Sequence, residues 1–217
     1  MMSIMASAAL MVSGCSAVPT APYHATPRQA RAVYEPAVPI RQCLSDLGAR
    51  QAAFTPLPDQ FYGAGCATIN AVRLTRLRSD SAELDLTNLG PVTCALADRF
   101  AGWARFGVDR AAREILGSPL VRIETMGSYS CRNVAGSDRR SAHATGNAVD
   151  VSGFVLANGQ RITVLGNWYD GTPQERSFLR VVRDSACKRF GTVLDPDYNP
   201  AHHNHLHLEV SDGAFCR

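Results

Sequence analysis

Five of the six histidines lie in two short segments, Ser141-Ala-His143-Ala-Thr-Gly146-Asn147-Ala-Val-Asp150 and His202-His203-Asn204-His205-Leu206-His207. Imidazole nitrogen and carboxylate oxygen are both zinc ligands, and a catalytic zinc takes three protein ligands while keeping a fourth position for water or substrate. Two histidines and one aspartate complete that set, so the chemistry these residues suggest is metal-assisted hydrolysis. A single pair of histidines would read as a solvated loop, with Asp150 capping a turn. Two clusters on strand-like segments favour the metal.

Bringing the set together falls to two strands. In an extended chain residues two apart share a face, so His205 and His207 project side by side while Leu206 and Leu208 face a core. Glu209 shares the histidine face, either exposed or as a carboxylate that orients a ligand histidine. In the other segment Gly146-Asn147 turns the chain before Ala148-Val149-Asp150-Val151 enters an apolar run, which puts His143 in the entering loop and Asp150 on the strand. If the two strands are close in one sheet, His143, Asp150 and one or both of His205 and His207 converge.

The remaining elements alternate. Leu96, Phe100 and Trp103 are spaced for a helix over Cys94 to Phe106, and a second helix is expected from Asp109 to Leu116, stopped by Gly117. Val121 to Thr125 alternates like a strand. Val151 to Leu156, Asn158-Gly159 and Arg161 to Leu165 form a hairpin pattern. Thr172-Pro173-Gln174-Glu175 is a capping-box start for a helix burying Phe178, Leu179, Val182 and Ala186. Trp103 and Trp168 are expected in packing, as is Tyr129 with its hydroxyl satisfied. The order implies an α+β fold with helices packed on a small, mainly antiparallel sheet.

The chain has 217 residues, 46% of them hydrophobic, and a formal net charge of +3. It is long enough for one substantial core, and Lys and Arg interleaved with aromatics in a stripe are missing, so nucleic acid is a poor partner. Residues 1–14 are apolar and small-residue rich, and Val12-Ser13-Gly14-Cys15 has the form of a lipobox. That predicts a lipoprotein signal peptide, too short to span a bilayer, and acylation of Cys15 as a membrane anchor, although no Lys or Arg precedes it. An ordinary cleaved signal is the competing reading, and both export the chain. Residues 15–40 carry scattered prolines and little apolar periodicity, a semi-extended tether that includes His24.

Of seven cysteines, six remain after Cys15, an even number suited to disulfides in an oxidising bacterial periplasm. About 15 pairings are open. Joining segments close in sequence, or bracketing one packing unit, favours Cys43–Cys66, Cys94–Cys131 and Cys187–Cys216. No short paired spacing suits a thiolate zinc site.

Taken together, Ser141-x-His143-x-x-Gly146-x-Ala148-x-Asp150 and His205-x-His207 resemble the signature of the LAS metallopeptidases, the group of zinc D-Ala-D-Ala carboxypeptidases and murein endopeptidases. Within it, Gly127-Ser128-Tyr129-Ser130-Cys131-Arg132, Asn147 to Phe154, Phe190 to Leu194 and His202 to His207 are most similar to the bacterial extensin-like C-terminal domain family, over residues 41–217. The resemblance implies a LAS (hedgehog/D-Ala-D-Ala peptidase-like) fold, Zn2+ held by His143, Asp150 and His207, and His205 beside the metal as a catalytic group. His202 matches the endopeptidase-like pattern. The glutamate base of the carboxypeptidase-like branch has no counterpart among Ala201, His202, His203 and Asn204, which leaves the base open: a histidine can handle the proton, and Glu209 is the reserve candidate. Arg132 corresponds to the family's arginine, which steadies an oxyanion or a substrate carboxylate; its alternative is an ion pair with a nearby acid. The implied partner is a peptidoglycan peptide, its D-amino-acid bond cleaved; a zinc-stabilised wall-binding module is the alternative.

The lipobox makes a direct prediction. Wild-type chain incorporates labelled palmitate and fractionates with membranes, whereas Cys15→Ala does neither; equal fractionation of the two would remove the anchor.

Overall fold

The computed structural model describes residues 38–217. The signal segment, Cys15 and His24 lie outside the described residues, as does the expected tether up to its last three positions, which already belong to the first helix. That helix, α1 (Val38–Ala49), is followed by β1 (Ala53–Pro56), the hairpin β2 (Gln60–Gly63) and β3 (Cys66–Thr68), β4 (Ala71–Arg78), β5 (Glu83–Thr87) and β6 (Val92–Thr93). Next, α2 (Cys94–Trp103) passes through a π-helical turn, Ala104–Asp109, into α3 (Arg110–Leu116). After β7 (Leu120–Gly127), a loop and a 3-10 turn, Ala142–Thr145, lead into β8 (Ala148–Leu156) and its hairpin partner β9 (Arg161–Thr163). The chain closes with α4 (Val164–Asn167), α5 (Pro173–Cys187), β10 (Thr192–Leu194), a 3-10 turn at Pro200–His202, β11 (Leu206–Glu209) and β12 (Phe215–Cys216).

Ten strands form one sheet in the order β1-β4-β5-β7-β8-β11-β10-β12, with β6 on β4 and β9 on β8; β2 and β3 pair separately. The class is α+β, as expected, but the sheet is larger than anticipated and mixed, because β5 lies parallel to β7 and β10 parallel to β12. Short strands such as β6 and β12 carry too few residues to show alternation in sequence. Among the described residues no helix is long and apolar enough to cross a membrane.

Three local solutions position the centre of the sheet. Strict alternation along β8 would turn its core face outward halfway, yet Val149, Val151, Phe154 and Leu156 are all buried. A register shift skips Ser152 in the ladder with β7 and reverses the parity there, so both halves point their apolar residues inward. Second, the two helices expected from Cys94 to Leu116 are one helical run joined by the π turn. Its Gly107 lies so near α5 that a Cβ would come within 2.3 Å of the Ser185 hydroxyl; Gly117, at φ 67°, ends the run. Third, α5 begins with the capping box of Thr172 and Glu175 and buries Phe178, Leu179, Val182 and Ala186. Trp103 and Trp168 are buried too, and the Trp103 indole N–H donates to the Val182 carbonyl at 3.0 Å.

Two expected disulfides are exchanged. Cys43 pairs with Cys94, tying α1 to the start of α2, and Cys66 pairs with Cys131, tying β3 to the loop after β7. Proximity in sequence misled here: packing of α1 on α2 sets the first pair, and β2–β3 folding over the loop that follows β7 sets the second. Cys187 and Cys216 pair as expected and join α5 to β12. Peptide mapping of the unreduced protein should recover these three pairs, and Cys43→Ala with Cys94→Ala should cost about 2–4 kcal/mol of stability in urea titration. A Cys43–Cys66 peptide would contradict the topology.

Candidate metal centre

The centre is assembled at the pairing of β8 with β11, where Asp150 and His207 are direct cross-strand partners. Leu206 and Leu208, on either side of His207, are fully buried and hold β11 against the core. His143 arrives from the preceding 3-10 turn, where the Ser141 hydroxyl accepts from the His143 backbone N–H. Gly146 then turns the chain at φ 64°, with the Pro91 carbonyl 3.1 Å from where a Cβ would stand. Asn147 fixes the far side of that turn: it accepts from the Thr93 hydroxyl at 2.9 Å and donates to the Val210 carbonyl.

Three side chains converge. His143 Nε2 is 3.2 Å from His207 Nδ1 and 3.2 Å from Asp150 Oδ2, and His207 Nδ1 is 2.9 Å from Asp150 Oδ1. Ligands about 2.0–2.1 Å from a tetrahedral zinc stand roughly 3.3 Å from one another, so the donor types and spacing fit that cation. His205 Nε2 lies 3.6 Å from Asp150 Oδ1.

The outer nitrogen of each ring is also fixed. His143 Nδ1 faces the Ser128 carbonyl at 3.0 Å, and since a carbonyl only accepts, Nδ1 carries a hydrogen and Nε2 is the nitrogen aimed at the centre. His207 Nε2 faces Glu209 Oε2 at 3.3 Å, the carboxylate–histidine arrangement that turns Nδ1 inward. His202 Nδ1 donates to Asn199 Oδ1 at 2.7 Å and His205 Nδ1 to Asn204 Oδ1 at 2.8 Å.

Electrostatics follow from burial and pairing. Burial opposes ionisation of Asp150, but hydrogen bonds from His143 and His207 outweigh it and hold the carboxyl far below the usual carboxylate range. Burial likewise opposes a charge on His207, and bonds to Asp150 and then Glu209 overcome it, pushing the imidazole up to about 9. At neutral pH, without a cation, a proton thus sits where metal charge would. Burial, then the neighbouring His205, lowers His202 to about 4, and burial lowers His205.

The other sequence-derived candidates are placed as follows. His202 and His205 meet with tilted rings, centroids 5.0 Å apart, and the His202 ring is 5.9 Å from that of His207. Arg132 is exposed; among the described residues it forms no ion pair, and its charge bears on His202. His203 turns outward to the Pro200 carbonyl at 2.8 Å. The segment before it is a 3-10 turn, not an extended chain. Tyr129 packs against Tyr62 at 5.1 Å, but its buried hydroxyl lacks a partner among the described residues, contrary to the expectation that it is satisfied. Ser128, Asn199 and Asn204, which fix the histidine rings, went unnoticed in the sequence because each does so through a fold-dependent contact.

Glu209→Gln should weaken zinc binding about 10- to 100-fold, read by competition with a chromophoric chelator, while the metal-free far-ultraviolet spectrum stays unchanged. Unaltered affinity would show that Glu209 does not orient His207.

The extensin-like protein C-terminus family model matches residues 41–217, which span the sheet, both histidine segments and all six cysteines of the three disulfides. No curated protein and no solved structure matches the chain. With most of its length covered by that match, including every residue of the centre, the chain belongs to the extensin-like protein C-terminus family.

Proposed function

We propose that the protein is an exported, lipid-anchored zinc peptidase related to the LAS metallopeptidases, hydrolysing a D-amino-acid-containing peptide bond in peptidoglycan. The observation that carries the proposal is the convergence of His143 Nε2, His207 Nδ1 and the Asp150 carboxylate into one three-donor set, with two further histidines beside it. Three ligands with a neighbouring proton carrier is the composition of a hydrolytic centre; a purely structural zinc is closed by four. Zinc bound there would lower the pKa of a water toward neutrality and polarise the substrate carbonyl.

The chain's own residues supply the rest. His143, Asp150 and His207 hold the cation, and the Ser128 carbonyl and Glu209 keep the two imidazoles aimed at it. His205, with His202 packed beside it, accepts a proton and returns it to the leaving amine. Arg132, exposed and without an ion-pair partner among the described residues, is available to steady the oxyanion or a substrate carboxylate. The periplasm and the membrane anchor at Cys15 place the protein beside the wall polymer it would act on.

A second reading is favoured by one distance. His205 Nε2 is only 3.6 Å from Asp150 Oδ1, so a small movement would let it serve as a fourth ligand and close the centre into a zinc-stabilised wall-binding module.

Variants separate the two. His207→Ala should lose zinc, whereas His205→Ala should keep about one equivalent and lose cleavage of muropeptides by about 10²–10⁴-fold. If zinc-loaded wild type releases nothing from cross-linked or pentapeptide muropeptides, the binding module replaces the peptidase. Tight zinc retention by His207→Ala would refute the ligand set.

A further inference from the structure

Beyond the histidines, one aromatic side chain is held, partly exposed, at the edge of the centre. Tyr198 lies in the segment between β10 and the 3-10 turn that carries His202. Around it the chain is tied down residue by residue. Asp195 is fully buried, paired with Arg183 Nε at 2.7 Å, and accepts from the Asp197 N–H at 2.8 Å. Asp197 accepts from the Trp168 indole at 3.1 Å and the Tyr169 hydroxyl at 2.8 Å, and pairs with Arg180. Asn199 caps the 3-10 turn and fixes His202. Tyr198 contributes its backbone N–H, to the Asp195 carbonyl at 3.0 Å.

Its ring, by contrast, remains 43% exposed. It meets His202 edge-on with centroids 5.6 Å apart and Phe215, also 43% exposed, at 5.7 Å. His202 in turn is 5.9 Å from His207. The exposed part of the ring forgoes apolar burial in the free protein, and contact with a ligand beside His202 would recover it. Here an over-determined loop presents the ring rigidly to solvent, one imidazole away from a metal-ligand candidate. Such an ordered, exposed aromatic loses little conformational entropy on contact and provides a preformed apolar surface.

We propose that Tyr198, backed by Phe215, is a specificity-determining residue of this centre: its ring forms the wall against which an apolar side chain flanking the scissile bond of a peptide substrate packs. The proposal rests on the peptidase reading for its catalytic consequence, but peptide binding tests it separately. The ring, rather than the hydroxyl, makes the contact. Tyr198 sits in neither the ligand set nor the proton-handling pair, so it acts on binding and selectivity.

The test uses zinc-loaded full-length wild type, Tyr198→Ala and Tyr198→Phe. The probes are a pentapeptide ending in D-Ala-D-Ala, a series with glycine, alanine or leucine flanking the scissile bond, and the uncleavable phosphinate analogue of each. Calorimetry on the analogues and steady-state kinetics on the peptides are compared. Tyr198→Ala should bind the alanine and leucine analogues at least tenfold more weakly and the glycine analogue nearly as wild type. Its loss in kcat/KM should lie in KM, with kcat within about twofold and zinc content unchanged. Tyr198→Phe should restore affinity and selectivity. If wild type binds the analogues with this side-chain dependence but cleaves nothing, the subsite stands and the peptidase reading falls. If wild type cleaves while Tyr198→Ala keeps its affinities and selectivity, the peptidase reading stands and the subsite falls. If Tyr198→Ala loses zinc or lowers kcat alone, or if wild type binds none of the analogues, the proposal is overturned.

Discussion

The largely buried carboxylate of Asp150 organises this molecule. An ionised carboxylate removed from water is stable only if opposite charge and hydrogen-bond donors replace its hydration. His143 and His207 provide that replacement, at 3.2 Å and 2.9 Å. In return, Asp150 keeps His207 charged without metal and leaves its Nδ1 facing the position a cation would share. The same contacts therefore stabilise the metal-free fold and hold together the proposed ligand set, in which a bound cation would compete with the proton for one position.

Everything nearby bears on where that carboxylate stands. Pairing of β8 with β11 places His207 opposite Asp150. The parity change at Ser152 lets β8 keep Val149 and Val151 in the core below the centre while Phe154 and Leu156 fill it further along. Asn147 and Gly146 lock the turn between His143 and Asp150, and the Cys66–Cys131 bridge ties β3 to the loop that leads from Ser128 toward His143. The rigid segment from Asp195 to Asn199 does the same for the second histidine group. Loops bearing functional groups are ordinarily the most mobile parts of a domain; in this chain they are fastened by buried ion pairs, side-chain caps and a disulfide.

Much of this was legible in sequence because it rests on short-range periodicity. His-Leu-His-Leu-Glu reads as one strand with opposed faces, and Leu206, His207, Leu208 and Glu209 divide as that pattern requires. The Thr172 capping box and the Gly117 stop are equally local, and both stand where expected. What escaped depends on contacts between distant segments. The partner of Cys43 is decided by α1 meeting α2, and Gly107 and the π turn by the approach of α5. The ring orientations come from Ser128, Asn199 and Asn204, none of which differs in sequence from an ordinary polar loop residue. Tyr198 was missed for the same reason, since its place beside His202 follows from the ties at Asp195 and Asp197.

The proposed centre holds zinc through three ligands and keeps one position open. The decisive test is zinc K-edge absorption of the metal-loaded chain, recorded before and after addition of an exchangeable anion such as azide. The predicted spectrum has two imidazoles and light oxygen or nitrogen donors at about 2.0–2.1 Å, with one donor replaced on anion addition. A spectrum with three imidazoles that azide leaves unchanged, or a chain that takes up no zinc, would contradict the account.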